Sequence, residues 1–544
     1  MRSNNKRPIF GHRAFPHILF FFACLTAALL FTPPFLAAQD LPDDPGSSGD
    51  FGFGDFGFGD SGSADSGGFG FGGGRSSGLS LNIGGEISAG FSLFYHDFQN
   101  AESFKNIRLG DILSAKLKLF AAASSAQAVV NVKLVPVFDG TSPVEIDEAY
   151  LRAFFGPVTV EGGFRILSWG RADTFGPLDV INPLDYSDLT KLTDPLSIKI
   201  SRPLFRAAWT LGSFSKLEGV FVPLFRGHEF AASGRWIPYA LTGMYENVAA
   251  EIQKKATSYL TSIWMANLTT PGILGLLADR ESYVRSKMEE WANSLRPEDL
   301  YPDTRTMEYA QAGLRYTTTL GPLDLGFQYF FGCLQRPAVT YSVDDDFLTP
   351  EDPLTPKDPT TNPKIKFDAI HINAFYNRYH QVAADFAVVV HGFNIRAEAG
   401  ANITKDLDGK DGTVENPSIV WSLGFDRDLI WGINVNLQGT GRIRLFQNRL
   451  GTNPALECEA GSKLTSSRIT GYLSRKFLRD ELELKVSGLW GIEDKDFLIM
   501  PAVIFSRNDV RAEIAAGFFG GSKKGELGQY RDNSFLKLLL TYKF

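Results

Sequence analysis

The sequence predicts an all-β protein: a transmembrane antiparallel β-barrel of about 18 strands, within a range of roughly 16 to 20. Three observations predict it. The last residues alternate between apolar and polar side chains, the first residues have the pattern of an export signal, and the links between predicted strands alternate between short and long. A change to a helical period predicts one helical hairpin inserted in an outer loop.

Residues 535–544 form the last predicted strand. Its even-numbered residues, from Leu536 to Phe544, are all apolar and share one face. Such a face, ending in two aromatic residues, suits a strand whose outside meets lipid and whose end meets the headgroups. The segment resembles the C-terminal signature of bacterial outer-membrane barrels, which implies that Phe544 and Tyr542 are an assembly signal for the barrel-assembly machinery. A strand of a soluble sandwich is the alternative that this segment alone leaves open.

Residues 1–38 are predicted to be a signal peptide. A start with four basic residues precedes an apolar run, and small residues at 37 and 38 allow cleavage before Gln39. Pro33 and Pro34 end that run before it reaches the roughly 20 residues of a membrane-spanning helix. Residues 39–78, rich in Gly, Phe and Asp, are predicted to be a flexible periplasmic segment, and residues 79–544 to be the barrel.

The charge balance is acidic, with 54 Lys and Arg residues against 61 Asp and Glu residues. Removal of the signal peptide makes it more so, because that segment holds four basic residues and no acidic ones. An acidic chain argues against nucleic acid as a partner. Composition does not distinguish a soluble protein from a barrel, because the apolar lipid-facing residues and the polar lumen-facing residues of a barrel give an intermediate mean hydropathy.

The links between strands test the topology, because a bacterial barrel has short periplasmic turns and long outer loops. Counting back from Phe544, short turns are predicted near residues 506, 478, 425, 391, 320, 212, 155 and 124, with longer links between them. This alternation gives an even number of strands. Residues 366–376 also alternate like a strand, but they are assigned to an outer loop because another strand would break the parity.

Residues 226–304 are predicted to be the helical loop insertion. Apolar residues recur there at steps of three and four, from Leu241 to Ile263 and again from Tyr283 to Leu295. Two arrangements stay open at this point. The hairpin is either a cap packed over the outer mouth of the barrel or a plug in its lumen.

Charged residues on the parity opposite to the apolar ones are predicted to line the lumen. They are Lys116, Lys118, Glu161, Arg396, Glu398, Arg442, Arg444, Glu483, Lys485, Arg511 and Glu513. Any one of them is better explained as a solvated wall charge or a cross-strand ion pair than as a functional residue. Together they predict a polar interior that suits small hydrophilic or charged solutes.

The most distinctive segment is "GGFRILSWGRADTFGPLDVINPLDYSD", residues 162–188. A strand that ends in Arg and Trp-Gly, followed by Asp and an Asn-Pro-x-Asp turn, resembles a poorly characterised family of porin-like Gram-negative outer-membrane barrels. The candidate constriction residues are Arg165, Trp169, Arg171, Asp173, Asp179, Asn182 and Asp185. The FG-rich leader and the helical hairpin depart from that family. Asp, Asn and Pro build rigid turns, so the segment is either a structural loop or a constriction that sets selectivity.

The resemblance implies a porin-like role in the outer membrane and names no substrate. The predicted function is a channel or export conduit for small polar or charged solutes, with lipid, the assembly machinery and a small-molecule solute as partners. Two alternatives remain: a non-transporting surface barrel whose loops bind an extracellular partner, and a channel for hydrophobic compounds.

No enzyme activity, cofactor or metal site is predicted. An outer-membrane phospholipase-like site needs a His-x-Ser pair, and no His of the chain has Ser two positions later. The loop at Asp406 is similar to a calcium loop, but Lys410 stands where an acidic ligand is expected.

Overall fold

A computed structural model describes residues 79–100, 109–134, 144–193, 195–294 and 302–544. Within them, 18 strands form one antiparallel sheet that closes on itself. The predicted signal peptide and Gly/Phe/Asp-rich segment lie outside the described residues. So do most of the first two predicted outer loops.

The strands of the sheet are numbered here in chain order. They are β1 Ser80–Phe94, β2 Leu109–Ala122, β3 Ala126–Leu134, β4 Val144–Phe155, β5 Val158–Arg165, β6 Arg202–Leu211, β7 Ser215–Val222, β8 Gln311–Leu320, β9 Leu323–Cys333, β10 Arg378–Val390, β11 Phe393–Thr404, β12 Ser418–Leu429, β13 Ile433–Arg444, β14 Thr465–Phe477, β15 Leu482–Gly491, β16 Asp496–Arg507, β17 Val510–Gly521 and β18 Phe535–Lys543. Each strand pairs with its neighbours in sequence.

The first and last strands close the ring. β1 pairs with β18, and two backbone hydrogen bonds extend this pairing to the last residue: Gly85 N–H donates to Phe544 O at 2.8 Å, and Phe544 N–H donates to Gly85 O at 3.0 Å. A closed sheet has no unpaired edge, which hydrocarbon requires because it offers backbone groups no partner. The predicted fold class and strand number are confirmed.

The outer face of the ring is apolar. Its exposed side chains include Leu81, Ile83, Leu151, Phe205, Leu314, Phe327, Leu423, Trp490, Ile514 and Leu540. At the rim, the rings of Tyr542 and Phe544 stack with centroids 6.4 Å apart. A belt of this kind is stable against lipid and unstable against water. No helix in the described part of the chain is long and apolar enough to cross a membrane.

Short turns lie at the end of the barrel that holds Phe544, and long loops lie at the other end, as predicted. The predicted turn at residue 425 is wrong. β12 continues to Leu429, and the turn lies at Ile430–Gly432. The charges that suggested a turn belong to the wall, since Asp426 pairs with Arg396 inside the barrel.

Residues 366–376 belong to an outer loop, as predicted. Ile370–Phe375 pairs with Ala338–Val343 in a two-stranded ribbon that is separate from the barrel sheet. The predicted helical insertion is also present, as two long helices that follow the short helix α1 (Tyr95–Asn100) in chain order: α2 (Tyr239–Ala266) and α3 (Ile273–Ser294).

The helices lie on the outer loops. Most of their buried apolar residues share one cluster with the ribbon and its neighbours, made of Met244, Val248, Ile252, Ala256, Val284, Tyr341, Val343, Phe347, Leu348, Ala369 and Ile370. Asn267 also donates to Lys357 O at 2.7 Å. These contacts fit the cap arrangement and not a plug in the lumen.

Candidate functional site: a loop inside the lumen

The loop between β5 and β6, residues 166–201, folds into the barrel. Asn182 joins its two ends, because its Oδ1 accepts Leu167 N–H at 2.7 Å and its Nδ2 donates to Ile200 O at 2.8 Å. Arg165 and Arg202 are direct partners across the sheet. The loop therefore leaves the wall and returns to it at the same place.

Trp169 anchors the loop to the wall. Its Nε1 donates to Glu218 Oε1 on β7 at 2.6 Å, and its ring meets Phe330 edge-on with centroids 6.3 Å apart. Gly313 on β8 leaves room for the indole, because a Cβ there would lie 2.6 Å from it. The strand ends at Arg165 and not at Trp169-Gly170 as the motif predicts, because residues 166–170 already turn away from the wall. The Trp-Gly pair instead anchors the start of the loop's path across the lumen.

Glu398 on β11 holds the backbone of the loop. The buried carboxylate accepts the N–H groups of Arg171, Ala172 at 2.7 Å and Leu178 at 3.4 Å. Gly170, with φ of +91°, is also in contact, and a side chain there would collide with this carboxylate. The close approach of backbone and carboxylate therefore depends on glycine.

Side chains of the first half of the loop bond to strands β10, β11 and β13. Arg171 Nε donates to Asp385 Oδ1 at 2.7 Å, and Asp173 pairs with Arg396 at 2.7 Å. Gln438 accepts the Asp173 N–H at 2.8 Å and donates to Thr174 O at 2.7 Å. Charge-assisted bonds of this kind are stronger than neutral ones in a confined space.

The second half of the loop packs on the opposite wall through apolar contacts. Two 3-10 turns, Leu189–Thr193 and Pro195–Ile198, carry these residues. Leu189, Leu192 and Ile198 share one buried cluster with residues on the inner faces of β15 to β18 and β1, which include Leu489, Leu498, Met500, Phe519, Phe535 and Phe94. The loop therefore touches both sides of the lumen.

Two further acidic residues of the loop form ion pairs within it. Asp179 accepts from Lys199 Nζ at 2.6 Å, and Asp185 accepts from Lys191 Nζ at 2.8 Å. Burial alone would raise the pKa of Asp185, but Lys191 and Ser187 outweigh it and lower the pKa below its ordinary value. The Asp185 carboxylate thus stays charged and paired at neutral pH.

His228 holds the outer side of the loop. Its Nδ1 accepts the Leu184 N–H at 2.9 Å, and its ring meets Tyr186 edge-on at 5.5 Å. Burial, together with nearby Arg336 and Arg202, lowers the pKa of His228 to about 3. The ring is therefore neutral at physiological pH, as its role as an acceptor requires.

Two polar cavities lie beside the loop, with volumes of about 310 Å³ and about 200 Å³. Phe175, Pro177 and Arg468 line both of them. Phe175 has φ of 52°, an uncommon conformation for a bulky residue. Its ring is thus held at the place where the two cavities meet.

The other predicted lining residues lie on inward faces of their strands, most of them in ion pairs. The pairs are Lys116 with Glu86 (3.3 Å), Glu161 with Arg152 (2.7 Å) and with Arg165, Arg442 with Glu415 (2.8 Å), Arg444 with Glu459 (2.8 Å), and Glu513 with Arg511 (3.2 Å) and Lys537 (3.3 Å). Lys485 lies over the Tyr472 ring at 4.9 Å. Lys118 and Glu483 share the inward parity of their strands.

Several residues that hold the loop were not predicted from the sequence: Glu218, Asp385, Gln328, Gln381 and Gln438. Gln328 donates to Leu178 O at 3.0 Å and Gln381 to Pro177 O at 3.1 Å. Asp385 offered a signal, since it is the only charged residue in the run "VAADFAVVV". An isolated charge in an apolar strand is expensive in a membrane unless it faces the interior and is paired.

Among the described residues, no cluster of His, Cys, Asp or Glu is arranged to hold a metal ion. In the loop at Asp406, the carboxylate accepts the backbone N–H groups of Lys410 and Asp411, both at 3.0 Å. Those bonds shape the turn.

No protein-family model matches the chain, and no curated protein matches its sequence. The chain resembles three solved structures, and each match covers 86% of this chain. OpdK from Pseudomonas aeruginosa has 8% sequence identity and a TM-score of 0.42, and 99% of its chain is covered. OccAB4 from Acinetobacter baumannii has 10% identity and a TM-score of 0.40, OmpF from Salmonella typhi in complex with daunomycin has 7% identity and a TM-score of 0.37, and 98% of each of these two chains is covered. Likeness at this level adds nothing to the assignment, which depends on the geometry of the chain itself. A closed ring of 18 antiparallel strands with an apolar outside and a charged inside gives this chain the architecture of a porin-like outer-membrane β-barrel.

Proposed function

We propose that the protein is an outer-membrane channel for small polar or charged solutes, and that residues 166–201 form its constriction. The observation that carries the proposal is the path of this loop. Polar bonds hold its first half to one wall, through Glu398 and Gln438, and apolar contacts hold its second half to the opposite wall. A loop fixed on both sides narrows the lumen without relying on its own stiffness.

The surfaces beside the loop favour polar solutes over hydrophobic ones. The two cavities carry charged and amide side chains, including Asp179, Lys199, Gln381 and Arg468. A hydrophobic solute would have to replace water around these groups without offering them hydrogen bonds, which costs free energy. A sugar, amino acid or small ion can make such bonds.

Single-channel conductance in planar bilayers tests the proposal. The matched pairing of Arg165 and Arg202 allows residues 166–201 to be replaced by a short Gly-containing hairpin turn without moving either strand. We expect a well-folded barrel whose conductance is at least about twofold higher, because conductance follows the open cross-section.

Removal of the cap is the matched control. A barrel in which residues 239–294 are replaced by a flexible linker should keep conductance close to that of the unchanged protein, because those residues contact outer loops. If the loop replacement leaves conductance unchanged and the cap removal raises it, the hairpin is the constriction and the proposal is wrong.

A second function has one specific observation in its favour. The tip of the helical hairpin exposes the apolar residues Trp264, Met265, Leu268 and Leu274. Exposed apolar patches on a surface loop are typical of protein contacts. A barrel that conducts no ions with or without residues 166–201, and yet folds, would favour a surface protein that binds an extracellular partner.

A further inference from the structure

A groove of about 660 Å³ lies on the lipid-facing side of the barrel, outside the lumen. Its floor is formed by the small residues Ala207, Gly219 and Ala312, and its walls by Phe205, Phe221, Leu314, Tyr329 and Phe331. A volume of about 300 to 1,000 Å³ is typical of sites for small molecules. The groove is a depression in the apolar belt of the barrel.

Strand pairing explains the depression. Ala207 lies opposite Gly219, and Ala312 lies opposite Phe221 on one side and Phe331 on the other. A Cβ on Gly219 would meet only Leu314, at an ordinary contact distance of 3.5 Å. The space above Gly219 is therefore open, and the depth of the groove comes from side-chain size and not from a kink in the backbone.

A polar pair lies at the outer end of the groove. Tyr329 OH and His380 Nδ1 are 2.8 Å apart, both side chains are exposed, and the Phe331 ring lies 4.8 Å from the imidazole. Tyr329 lies four residues before Cys333, the outer end of β9, which places the pair roughly 10 Å inside that end.

Polar groups on a lipid-facing surface need polar partners. The bond with Tyr329 uses one ring nitrogen of His380, and hydrocarbon offers the second nitrogen no hydrogen bond. Arg378 adds a positive charge nearby, with its guanidinium 4.8 Å from the centre of the Phe331 ring. This combination of an apolar groove with a basic, hydrogen-bonding end matches an acyl chain attached to a phosphate.

We propose that this groove binds one lipid with a phosphorylated headgroup, with an acyl chain over Gly219 and its phosphate at His380 and Arg378. Lipid surrounds this face of the barrel, so an acyl chain is always present at high concentration. Binding would fill the depression and supply the polar partner that His380 needs. The bound lipid would then be part of the outer surface of the folded barrel.

Native mass spectrometry of the refolded full-length barrel, titrated with dipalmitoyl phosphatidylethanolamine in detergent, tests the proposal. We expect one lipid to bind most tightly and Gly219→Leu to weaken that binding at least tenfold. The matched control is Gly488→Leu, which fills the position of another lipid-facing glycine whose Cβ would lie 3.4 Å from its nearest neighbour, Leu498 O. That variant should bind as the unchanged barrel does.

A second comparison tests the polar end. His380→Phe should weaken the binding of phosphatidylethanolamine at least threefold. The binding of a diacylglycerol with the same acyl chains should not change. Equal binding by Gly219→Leu and Gly488→Leu would overturn the acyl-chain site. An oligomer that Gly219→Leu dissociates without loss of lipid would assign the groove to a second copy of the chain instead, and equal loss of both lipids in His380→Phe would remove the headgroup from the proposal.

Discussion

Trp169 and Glu218 form a buried hydrogen bond of 2.6 Å that joins the lumenal loop to the inner face of β7. The same carboxylate also pairs with Arg206 and, at 3.3 Å, with Lys216. The indole is therefore attached to a charged network in the wall and not to a mobile side chain. Undocking of the loop at Trp169 requires this bond to break.

Trp169→Phe should loosen the loop while keeping an aromatic ring in the space that Gly313 leaves. The substitution removes a hydrogen bond to a charged group, which is worth about 1.5 to 3 kcal/mol, so the undocked population should rise roughly tenfold or more. Hydrogen exchange of the amides at residues 170–174 measures this population, and single-channel recordings should show more frequent current fluctuations. Trp490→Phe, on the lipid-facing side, is the control and should change neither.

Replacement of Asp173, Asp179 and Asp185 by Asn should shift permeability toward anions. Each carboxylate is paired with a cation, so its removal leaves Arg396, Lys199 or Lys191 with excess positive charge in a confined space. We expect the cation-to-anion permeability ratio to fall at least about twofold in dilute salt. The shift should shrink near 1 M salt, where the screening length is about 3 Å.

Reversal potentials across a salt gradient measure this ratio. The matched control carries the same substitutions at Asp345, Asp346 and Asp358, which are in the outer loop that precedes β10. The same shift in both triple variants would mean that surface charge, and not the lumenal loop, sets selectivity.

The fold could be predicted because the membrane imposes it. A strand between lipid and a polar lumen must alternate, and short and long links must alternate in a barrel that has both chain ends on one side. Local charge is misleading where a strand carries it: Asp426 and Arg427 predict a turn, although Asp426 is a wall charge paired with Arg396. Within a few residues of sequence, the charged residues of a turn cannot be distinguished from those of a lumen-facing strand.

The site could be predicted only in part, for a different physical reason. The Asn-Pro-x-Asp motif marks residues that shape the loop locally, so Asn182 and Asp185 could be identified from sequence. The residues that hold the loop in place, such as Glu218 and Gln438, are far along the chain and become neighbours only when the barrel closes. Their alternation marks them as inward-facing but does not show which of them the loop meets.

Phe544→Asp should reduce assembly of the barrel several-fold. The Phe544 ring lies over Gly85, where a Cβ would be 2.6 Å from it, and its backbone extends the pairing of β1 with β18. A charge there removes the aromatic contact with Tyr542 at the membrane interface and, by resemblance, the assembly mark. Heat-modifiable mobility of the membrane fraction measures folded barrel.

Two control variants distinguish the effect of losing the aromatic ring from the effect of any substitution at this end of the chain. Phe544→Tyr should assemble nearly as well as the unchanged protein, and Lys543→Gln, which alters the neighbouring inward-facing residue, should also do so. Normal amounts of heat-modifiable barrel with Phe544→Asp would show that the last strand closes the barrel without help from this ring.

The contact between His228 and Leu184 should make docking of the loop sensitive to acid. The pKa of His228 in the folded barrel is about 3, below the ordinary value of 6.5. A lowered pKa means that the undocked or unfolded state binds the proton more readily, so the stabilisation is complete above pH 6.5 and is lost progressively as pH falls toward 3. At pH 5.5 the loss of stabilisation should be about 1.4 kcal/mol, which corresponds to a roughly tenfold larger undocked population.

Hydrogen exchange at the Leu184 amide, corrected for the intrinsic pH dependence of exchange, measures this undocked population between pH 7.5 and 4.5. His228→Gln keeps an acceptor that does not titrate and should exchange with no added pH dependence, whereas a pH dependence that survives in this variant would belong to another group.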